Sequence, residues 1–289
     1  MSTALDDNDI IKIDMIDYGK RLEEWFQQHP KVLVALSGGV DSCLVAFLAR
    51  QMNGKESAIS LIGVSPSLKK RDLQMAESFC DENDIEYHHI HPNEINDSNY
   101  ASNPINRCYF CKSALYLEMN EVKDTYFPGF EILNGNNFSD RGDHRPGMEA
   151  AKEFHALSPL MDCGLEKDTI RALALKHNLK VWDKPASPCM SSRFPYGEEI
   201  TVDKLKMVEQ AEELLFGLGF SDVRVRINEL NAKVEVPSKE LIQLKEMVTG
   251  LKQKFKDLGF KTVEIDDEGL VSGKLNRVIT EIKNIHNTL

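Results

Sequence analysis

Short apolar runs alternate with amphipathic stretches along the first two thirds of the chain. Four segments are typical of strands: 31–36 (KVLVAL), 58–64 (AISLIGV), 86–91 (EYHHIH) and 130–135 (FEILNG). Four segments between or after them have the apolar spacing of helices: 42–52, 69–83, 111–123 and 166–179. Strands that alternate with helices predict an α/β fold, in which a parallel sheet is covered by helices on both faces.

The pattern changes after residue 197. A predicted helix (201–220) is followed by two strand-like runs, DVRVRI (222–227) and AKVEVP (232–237). A long helical stretch (238–260) and a third strand, KTVEI, complete the tail. We therefore predict a first domain over 1–197 and a smaller α+β domain over 198–289 that supplies its own sheet.

The first predicted strand runs directly into SGGVDS (37–42) and then into a helix. Gly38 and Gly39 allow a tight turn, and the free N–H groups of the helix N-terminus favour an anion such as phosphate. Ser37 and Ser42 add hydroxyl donors. Asp41 repels phosphate by itself, so it either holds Mg²⁺ or caps the helix.

Composition narrows the possible partners and location. The 289 residues carry a formal net charge of -11, with 42% hydrophobic and 28% charged residues. A chain this acidic, with no long Lys/Arg run, argues against binding to nucleic acid. The acidic N-terminus and the lack of an apolar run of roughly 20 residues argue against a secretory signal or a membrane span. We expect a cytoplasmic protein whose six cysteines are reduced.

The cysteines fall into two groups. Cys43 and Cys80 lie on predicted helices and are expected in the core, and Cys163 is expected to be an inert loop thiol. Three others have a more distinctive context: Cys108 and Cys111 form a CxxC, and Cys189 lies in a Pro- and Ser-rich loop.

The CxxC spacing allows two sulfurs to bind one metal or cluster. A structural zinc site needs four ligands, and the chain has no second CxxC. A redox dithiol remains an alternative. Cys108, Cys111 and Cys189 together could bind three irons of a [4Fe–4S] cluster and leave the fourth iron open, although the sequence does not place Cys189 beside the CxxC.

Several motifs together resemble known families. SGGVDS resembles the loop of the PP-loop ATP pyrophosphatases, which have an adenine nucleotide alpha hydrolase-like fold and cleave ATP to AMP and pyrophosphate with Mg²⁺. With RPG (145–147), WDKPASPCMSSRFPYG (182–197) and DVRVRI, the chain resembles the LarE family of PP-loop sulfur transferases over roughly residues 20–280. LarE proteins make the nickel-pincer nucleotide.

The resemblance implies an enzyme that adenylates a carboxylate of a pyridinium mononucleotide and replaces oxygen by sulfur. Some members sacrifice the sulfur of their own loop cysteine, whose place Cys189 takes. Members with all three cysteines resemble cluster-binding enzymes that deliver sulfide from an external source. We therefore expect Cys108, Cys111 and Cys189 to hold a [4Fe–4S] cluster, with sacrifice of Cys189 as the alternative.

The resemblance also implies roles for residues outside the cysteines and the phosphate loop. They are Ser192, Arg193, Glu212 and Glu235 around the active site, Arg224 and Arg226 at the substrate phosphate, and Lys184 at a phosphate. Arg224 and Arg226 alternate on a predicted strand and so share a face. The alternative for both arginines and for Glu212 is a solvated charge, and the alternative for Lys184 is a residue without a phosphate contact. Val271 departs from the family, which has an arginine there.

Other possibilities stay open. Asp140 and Asp143 could lie by the metal or cap the next helix. A tRNA thiolase with a [4Fe–4S] cluster, an amide-forming synthetase and a non-catalytic nucleotide-binding regulator are competing functions. The resemblance further implies a homo-oligomer.

Overall fold

The computed structural model describes residues 7–142, 146–271 and 273–277, and divides the chain into two compact units. One comprises Met1–Glu94 with Cys108–Ser187, and the other Ile95–Arg107 with Pro188–Leu289. The division therefore falls earlier than the boundary expected at residue 197, and Ile95–Arg107 joins the second unit. Asp143 and Arg145 lie outside the described residues.

The elements follow the predicted alternation. The α-helices are α1 (Asp7–Gln28), α2 (Val40–Asn53), α3 (Lys70–Glu82), α4 (Ser98–Ala101), α5 (Arg107–Tyr126), α6 (Pro146–Glu153), α7 (Pro159–Asp162), α8 (Lys167–Lys176), α9 (Val202–Gly217) and α10 (Leu241–Asp257). The strands are β1 (Val32–Ala35), β2 (Ala58–Gly63), β3 (Glu86–Ile90), β4 (Glu131–Leu133), β5 (Arg224–Asn228), β6 (Asn231–Glu235) and β7 (Thr262–Ile265). None of the helices described is long and apolar enough to cross a membrane.

The first unit is built on a parallel four-stranded sheet in the order β3-β2-β1-β4. Val32 and Val34 pack on one face with α2, and Leu33 packs on the other with Tyr116 and Met119 of α5. Because helices cover both faces of the sheet, every side chain of β1 is buried, and the strand is apolar at every position, as expected for a parallel strand. The strand order reverses between β1 and β4, and ligands of open α/β sheets bind at the carboxyl ends of strands at such a point.

The second unit has its own sheet, in the order β5-β6-β7. β5 and β6 form an antiparallel pair, and β7 adds to β6 in parallel. Val225 and Ile227 of β5 are buried, with Leu215 of α9 and Phe255 of α10 also in the core. The predicted α/β fold with a smaller α+β tail is confirmed.

Candidate functional site

The loop between β1 and α2 has the geometry of an anion site. Gly38 adopts φ +71°, and Gly39 is the N-cap of α2 without any side-chain cap. Ser42 Oγ accepts a hydrogen bond from Ser37 N at 3.1 Å and donates one to Gly39 O at 3.1 Å, which braces the turn. In the described part of the chain, the N–H groups of Gly38 and Gly39 have no acceptor. An anion is the partner that this arrangement favours.

The segment that follows β4 packs against this loop. A Cβ added at Gly135 would lie 2.7 Å from Ser42 N and 3.0 Å from Ser42 Cα. Glycine is therefore needed for the two loops to approach. The same segment carries Asn134 and Asn137, both 4% exposed. Asn134 Nδ2 and Asn137 Oδ1 are buried and have no hydrogen-bond partner among the described residues.

Asp41 does not cap the helix, because it lies in the first turn of α2 after the N-cap. Its carboxylate accepts hydrogen bonds from Lys167 Nζ at 2.5 Å and from Asn137 Nδ2 at 3.4 Å. A partly exposed carboxylate at the phosphate loop, with an unpartnered amide oxygen beside it, suits a hard cation such as Mg²⁺. Asp140 instead accepts from the N–H of Asn137 at 3.0 Å.

Lys184, for which a phosphate contact is expected, lies at the phosphate loop and bonds to protein groups there. Its Nζ donates to Gly38 O at 2.9 Å and to Asp72 Oδ1 at 3.0 Å. Both side chains are nearly buried, at 11% and 12% exposure. Asp72 Oδ2 accepts a further bond from Ser187 Oγ at 2.8 Å. Lys184 is thus paired with protein acceptors on both sides, and a phosphate contact of this residue stays a prediction.

The six cysteines separate by exposure into the two groups that the sequence indicates. Cys43, Cys80 and Cys163 are buried, whereas Cys108 and Cys189 are exposed and Cys111 is partly exposed. Burial raises the pKa of the Cys43 thiol, raises that of Cys80 to about 12 and raises that of Cys163 to about 11. Raised pKa values keep these three thiols protonated and unreactive near neutral pH.

Cys108 and Cys111 lie within the first five residues of α5, three residues apart and so on one side of the helix. They belong to the first unit, and Cys189 belongs to the second. Within the ranges that the structure describes, no three or more His, Cys, Asp or Glu side chains form a group able to hold a metal ion.

The backbone around Cys189 is held by its own turn. Cys189 is followed by a 3-10 turn (Met190–Arg193), and its carbonyl accepts from Ser192 N at 3.0 Å and Ser192 Oγ at 2.8 Å. Arg193 Nη1 donates to Pro188 O at 3.0 Å and to Ser192 Oγ at 3.0 Å. The thiol is thus exposed on a constrained backbone.

Arg193 is itself fixed by a buried ion pair. Arg193 and Glu212 are 1% and 2% exposed, with Arg193 Nε–Glu212 Oε1 at 2.7 Å and Nη2–Oε2 at 3.1 Å. Glu212 Oε1 also accepts from the N–H of Val225 at 3.0 Å. The alternative of Glu212 as a solvated helix residue is wrong, because this carboxylate links α9, β5 and the Cys189 turn.

Arg226 and Glu235 lie at a cavity of about 630 Å³ in the second unit, which Arg193 also lines. Arg226 Nε donates to Glu235 Oε1 at 2.6 Å, and its Nη1 donates to Ser192 O at 3.0 Å. Burial, followed by the nearby charges of Arg193 and Arg226, lowers the pKa of Arg224. Arg226 is therefore not a solvated surface charge, whereas Arg224 is only partly buried.

Sequence reasoning missed four residues at these sites: Asp72, Asn137, Lys167 and Lys274. Lys274 lines the same cavity and reaches Glu235 and Asp266. The polar run after β4 was a usable signal for Asn137, because strand ends of a parallel sheet share one edge. The three charged residues have no local signal that separates them from surface charges.

The chain is similar in sequence to a known family and to several known proteins. The NAD synthase family matches residues 20–106. A protein of Synechocystis sp. described as uncharacterized is 42% identical over 270 residues, covering 91% of this chain and 98% of its own. The pyridinium-3,5-bisthiocarboxylic acid mononucleotide synthase of Lactiplantibacillus plantarum is 31% identical over 251 residues, covering 87% and 91%. An uncharacterized protein of Methanocaldococcus jannaschii is 28% identical, covering 88% and 96%.

Proposed function

Because the chain belongs to the family of the pyridinium-3,5-bisthiocarboxylic acid mononucleotide synthase, we propose that it transfers sulfur, at the expense of ATP, to a carboxylate of a pyridinium mononucleotide. The observation that carries the proposal is the braced SGGVDS loop at the point where the strand order reverses, in a chain that matches this synthase over almost its full length.

The first step needs an anion site and charge neutralisation. The substrate carboxylate oxygen attacks the α-phosphorus of ATP, pyrophosphate leaves, and an acyl adenylate forms. The free N–H groups of Gly38 and Gly39 would bind phosphate oxygens. Asp41 would hold Mg²⁺, which neutralises phosphate charge when bound, and this requires Asp41 to exchange its bond with Lys167. The released ammonium of Lys167 would then be available to a phosphate oxygen.

The second step needs a sulfur nucleophile. Sulfide attacks the carbonyl carbon of the acyl adenylate, AMP leaves, and a thiocarboxylate remains. We propose that Cys108, Cys111 and Cys189 hold a [4Fe–4S] cluster, which would supply sulfide from an external source. Their accessibility supports this choice, because the other three thiols are buried and protonated.

The substrate phosphate would bind in the second unit. Arg224 and Arg226 on β5 provide the guanidinium groups, and the cavity beside Arg226 has room for a small ligand. Ser192 and Arg193 would shape the backbone next to Cys189, and Glu235 orients Arg226. We keep the expectation of a homo-oligomer as part of the proposal.

Two measurements on anaerobically purified protein test the proposal. With pyridinium-3,5-biscarboxylic acid mononucleotide, ATP and Mg²⁺, we expect AMP and pyrophosphate in equal amounts, and a product with sulfur in place of oxygen. Absence of substrate-dependent pyrophosphate would refute the adenylation step. Bulk tRNA serves as the alternative acceptor, and thiolation of tRNA instead would reassign the substrate.

The cluster is tested separately. We expect about four irons per chain after anaerobic reconstitution, and their loss in Cys108→Ser and in Cys189→Ser. Iron-free protein after reconstitution would refute the cluster. A loss of about 34 Da at Cys189 after turnover, as when a cysteine becomes dehydroalanine, would instead establish that its sulfur is sacrificed.

A further inference from the structure

The segment 184–187 (KPAS) leads into the Cys189 loop. It is linked to the phosphate loop by a hydrogen bond to a backbone carbonyl of that loop. Lys184 Nζ donates to Gly38 O at 2.9 Å and to Asp72 Oδ1 at 3.0 Å, in nearly buried surroundings. An ammonium group has three donors, and two are used by these protein acceptors. Lys184 therefore supports the loop itself.

The planarity of the peptide bond gives this contact a consequence for anion binding. Gly38 C=O and Gly39 N–H belong to one trans peptide, so they point in opposite directions. A lysine bound to the carbonyl therefore directs the Gly39 N–H toward the other side of the loop, where α2 begins. Hydrogen bonds at the two ends of one peptide polarise it and strengthen each other. An anion at Gly39 should thus tighten the bond between Lys184 and Gly38.

Asp72 connects this peptide to the end of the segment. Its Oδ1 accepts from Lys184, and its Oδ2 accepts from Ser187 Oγ at 2.8 Å. Ser187 Oγ in turn accepts from Lys69 Nζ at 2.9 Å. One carboxylate therefore holds both ends of a four-residue segment, and Cys189 follows two residues later.

The position of Asp72 is itself constrained. A Cβ added at Gly38 would meet Asp72 O at 3.2 Å and Ala76 Cβ at 3.4 Å, so the first turn of α3 lies directly against the loop. Arg171 Nη2 donates to Lys184 O at 2.9 Å and holds the start of the segment from α8. The segment is thus held by hydrogen bonds at Lys184 Nζ, Lys184 O and Ser187 Oγ. The bonds of Lys184 Nζ and Ser187 Oγ involve Asp72.

We propose that Asp72 is a positioning residue that couples anion binding at the phosphate loop to the order of the segment entering the Cys189 loop. The inference rests on the proposed function only in taking an ATP phosphate as the anion. Binding at Gly39 strengthens the Lys184 contact, Lys184 and Ser187 share Asp72, and the backbone before Cys189 becomes more rigid. Adenylation and sulfur delivery are then coordinated by one carboxylate.

Hydrogen–deuterium exchange on the full-length protein tests the coupling, with and without α,β-methylene-ATP and Mg²⁺. In the wild type we expect the amides of Ala186, Ser187 and Cys189 to exchange at least about fivefold more slowly with the nucleotide. In Ser187→Ala, nucleotide affinity by calorimetry should be unchanged while the slowing is lost. Asp72→Asn should lose the slowing and also bind the nucleotide about tenfold more weakly.

Lys180→Met is the matched control, since Lys180 is exposed and pairs only with Glu82 at the surface among the described contacts. It should keep both the affinity and the slowing. Ser187→Ala leaves the Lys184–Asp72 pair in place, so its result does not depend on the folding of Asp72→Asn. Slowing retained in Ser187→Ala, or absent from a wild type that binds the nucleotide, would overturn this inference alone. A wild type that does not bind the nucleotide would overturn the proposed function as well.

Discussion

Removal of the Glu212 carboxylate should destabilise the second unit far more than loss of a surface charge. In Glu212→Ala, the guanidinium of Arg193 stays 1% exposed without its bidentate partner, and the N–H of Val225 loses its acceptor. Breaking a buried pair on one side costs about 3–5 kcal/mol. At about 2–4 °C per kcal/mol for a chain of this size, the Tm should fall by roughly 6–20 °C.

Thermal unfolding followed by circular dichroism measures this loss, and a double variant tests its cause. Arg193→Met with Glu212→Leu removes both charges, so it should recover most of the stability lost in Glu212→Ala. Lys180→Met, which breaks an exposed pair, should change the free energy of unfolding by less than about 1 kcal/mol. A double variant as unstable as the sum of its two single variants would show that the cost arises from lost packing rather than from an uncompensated charge.

Two further predictions concern the phosphate loop and the thiols. Gly135→Ala should weaken ATP binding at least about tenfold, because its Cβ would lie 2.7 Å from Ser42 N; Gly250→Ala, in open space on α10, should instead stabilise the protein by about 0.5–1 kcal/mol. Equal nucleotide affinity in Gly135→Ala and wild type, by calorimetry, would contradict the first. In protein freed of any iron–sulfur cluster, iodoacetamide at pH 8 should label Cys108 and Cys189 but not Cys163, whose thiolate fraction is on the order of one thousandth at a pKa of about 11. Peptide mass spectrometry should show Cys163 labelling rising as the pH approaches 11, and rapid labelling at pH 8 would disprove its burial.

The class of fold was predictable because burial acts on local patterns. β1 is apolar at every position since helices cover both faces, and the turn at Gly38 and Gly39 is encoded within six residues. The order β3-β2-β1-β4 was not predictable, because β2 and β4 are both mainly apolar and neither sequence specifies on which side of β1 it pairs. Which loop faces the phosphate loop depends on that order.

The charged residues of the site were harder to predict from the sequence than the fold. Glu212 and Asp72 occur in amphipathic helices whose other charged residues are at least partly exposed, and only the distant partners Arg193 and Lys184 explain their burial. The segment Ile95–Arg107 was likewise unpredictable as part of the second unit, since Asn103 and Arg107 are polar although they are buried. The cysteines were easier, because CxxC spacing and a Pro-rich loop are unusual for core thiols.

The discontinuous second unit has a consequence for how the protein is made. Tyr100, Asn103 and Arg107 are almost wholly buried, and Arg107 bonds to the carbonyl of Ser191, 84 residues later. At a ribosomal rate of about 5–20 residues per second, Ser191 is synthesised roughly 4–17 s after Arg107. A nascent chain that ends near Ser187 therefore lacks Ser191, to which Arg107 bonds in the finished fold, so the second unit completes its core only after the first unit has been synthesised.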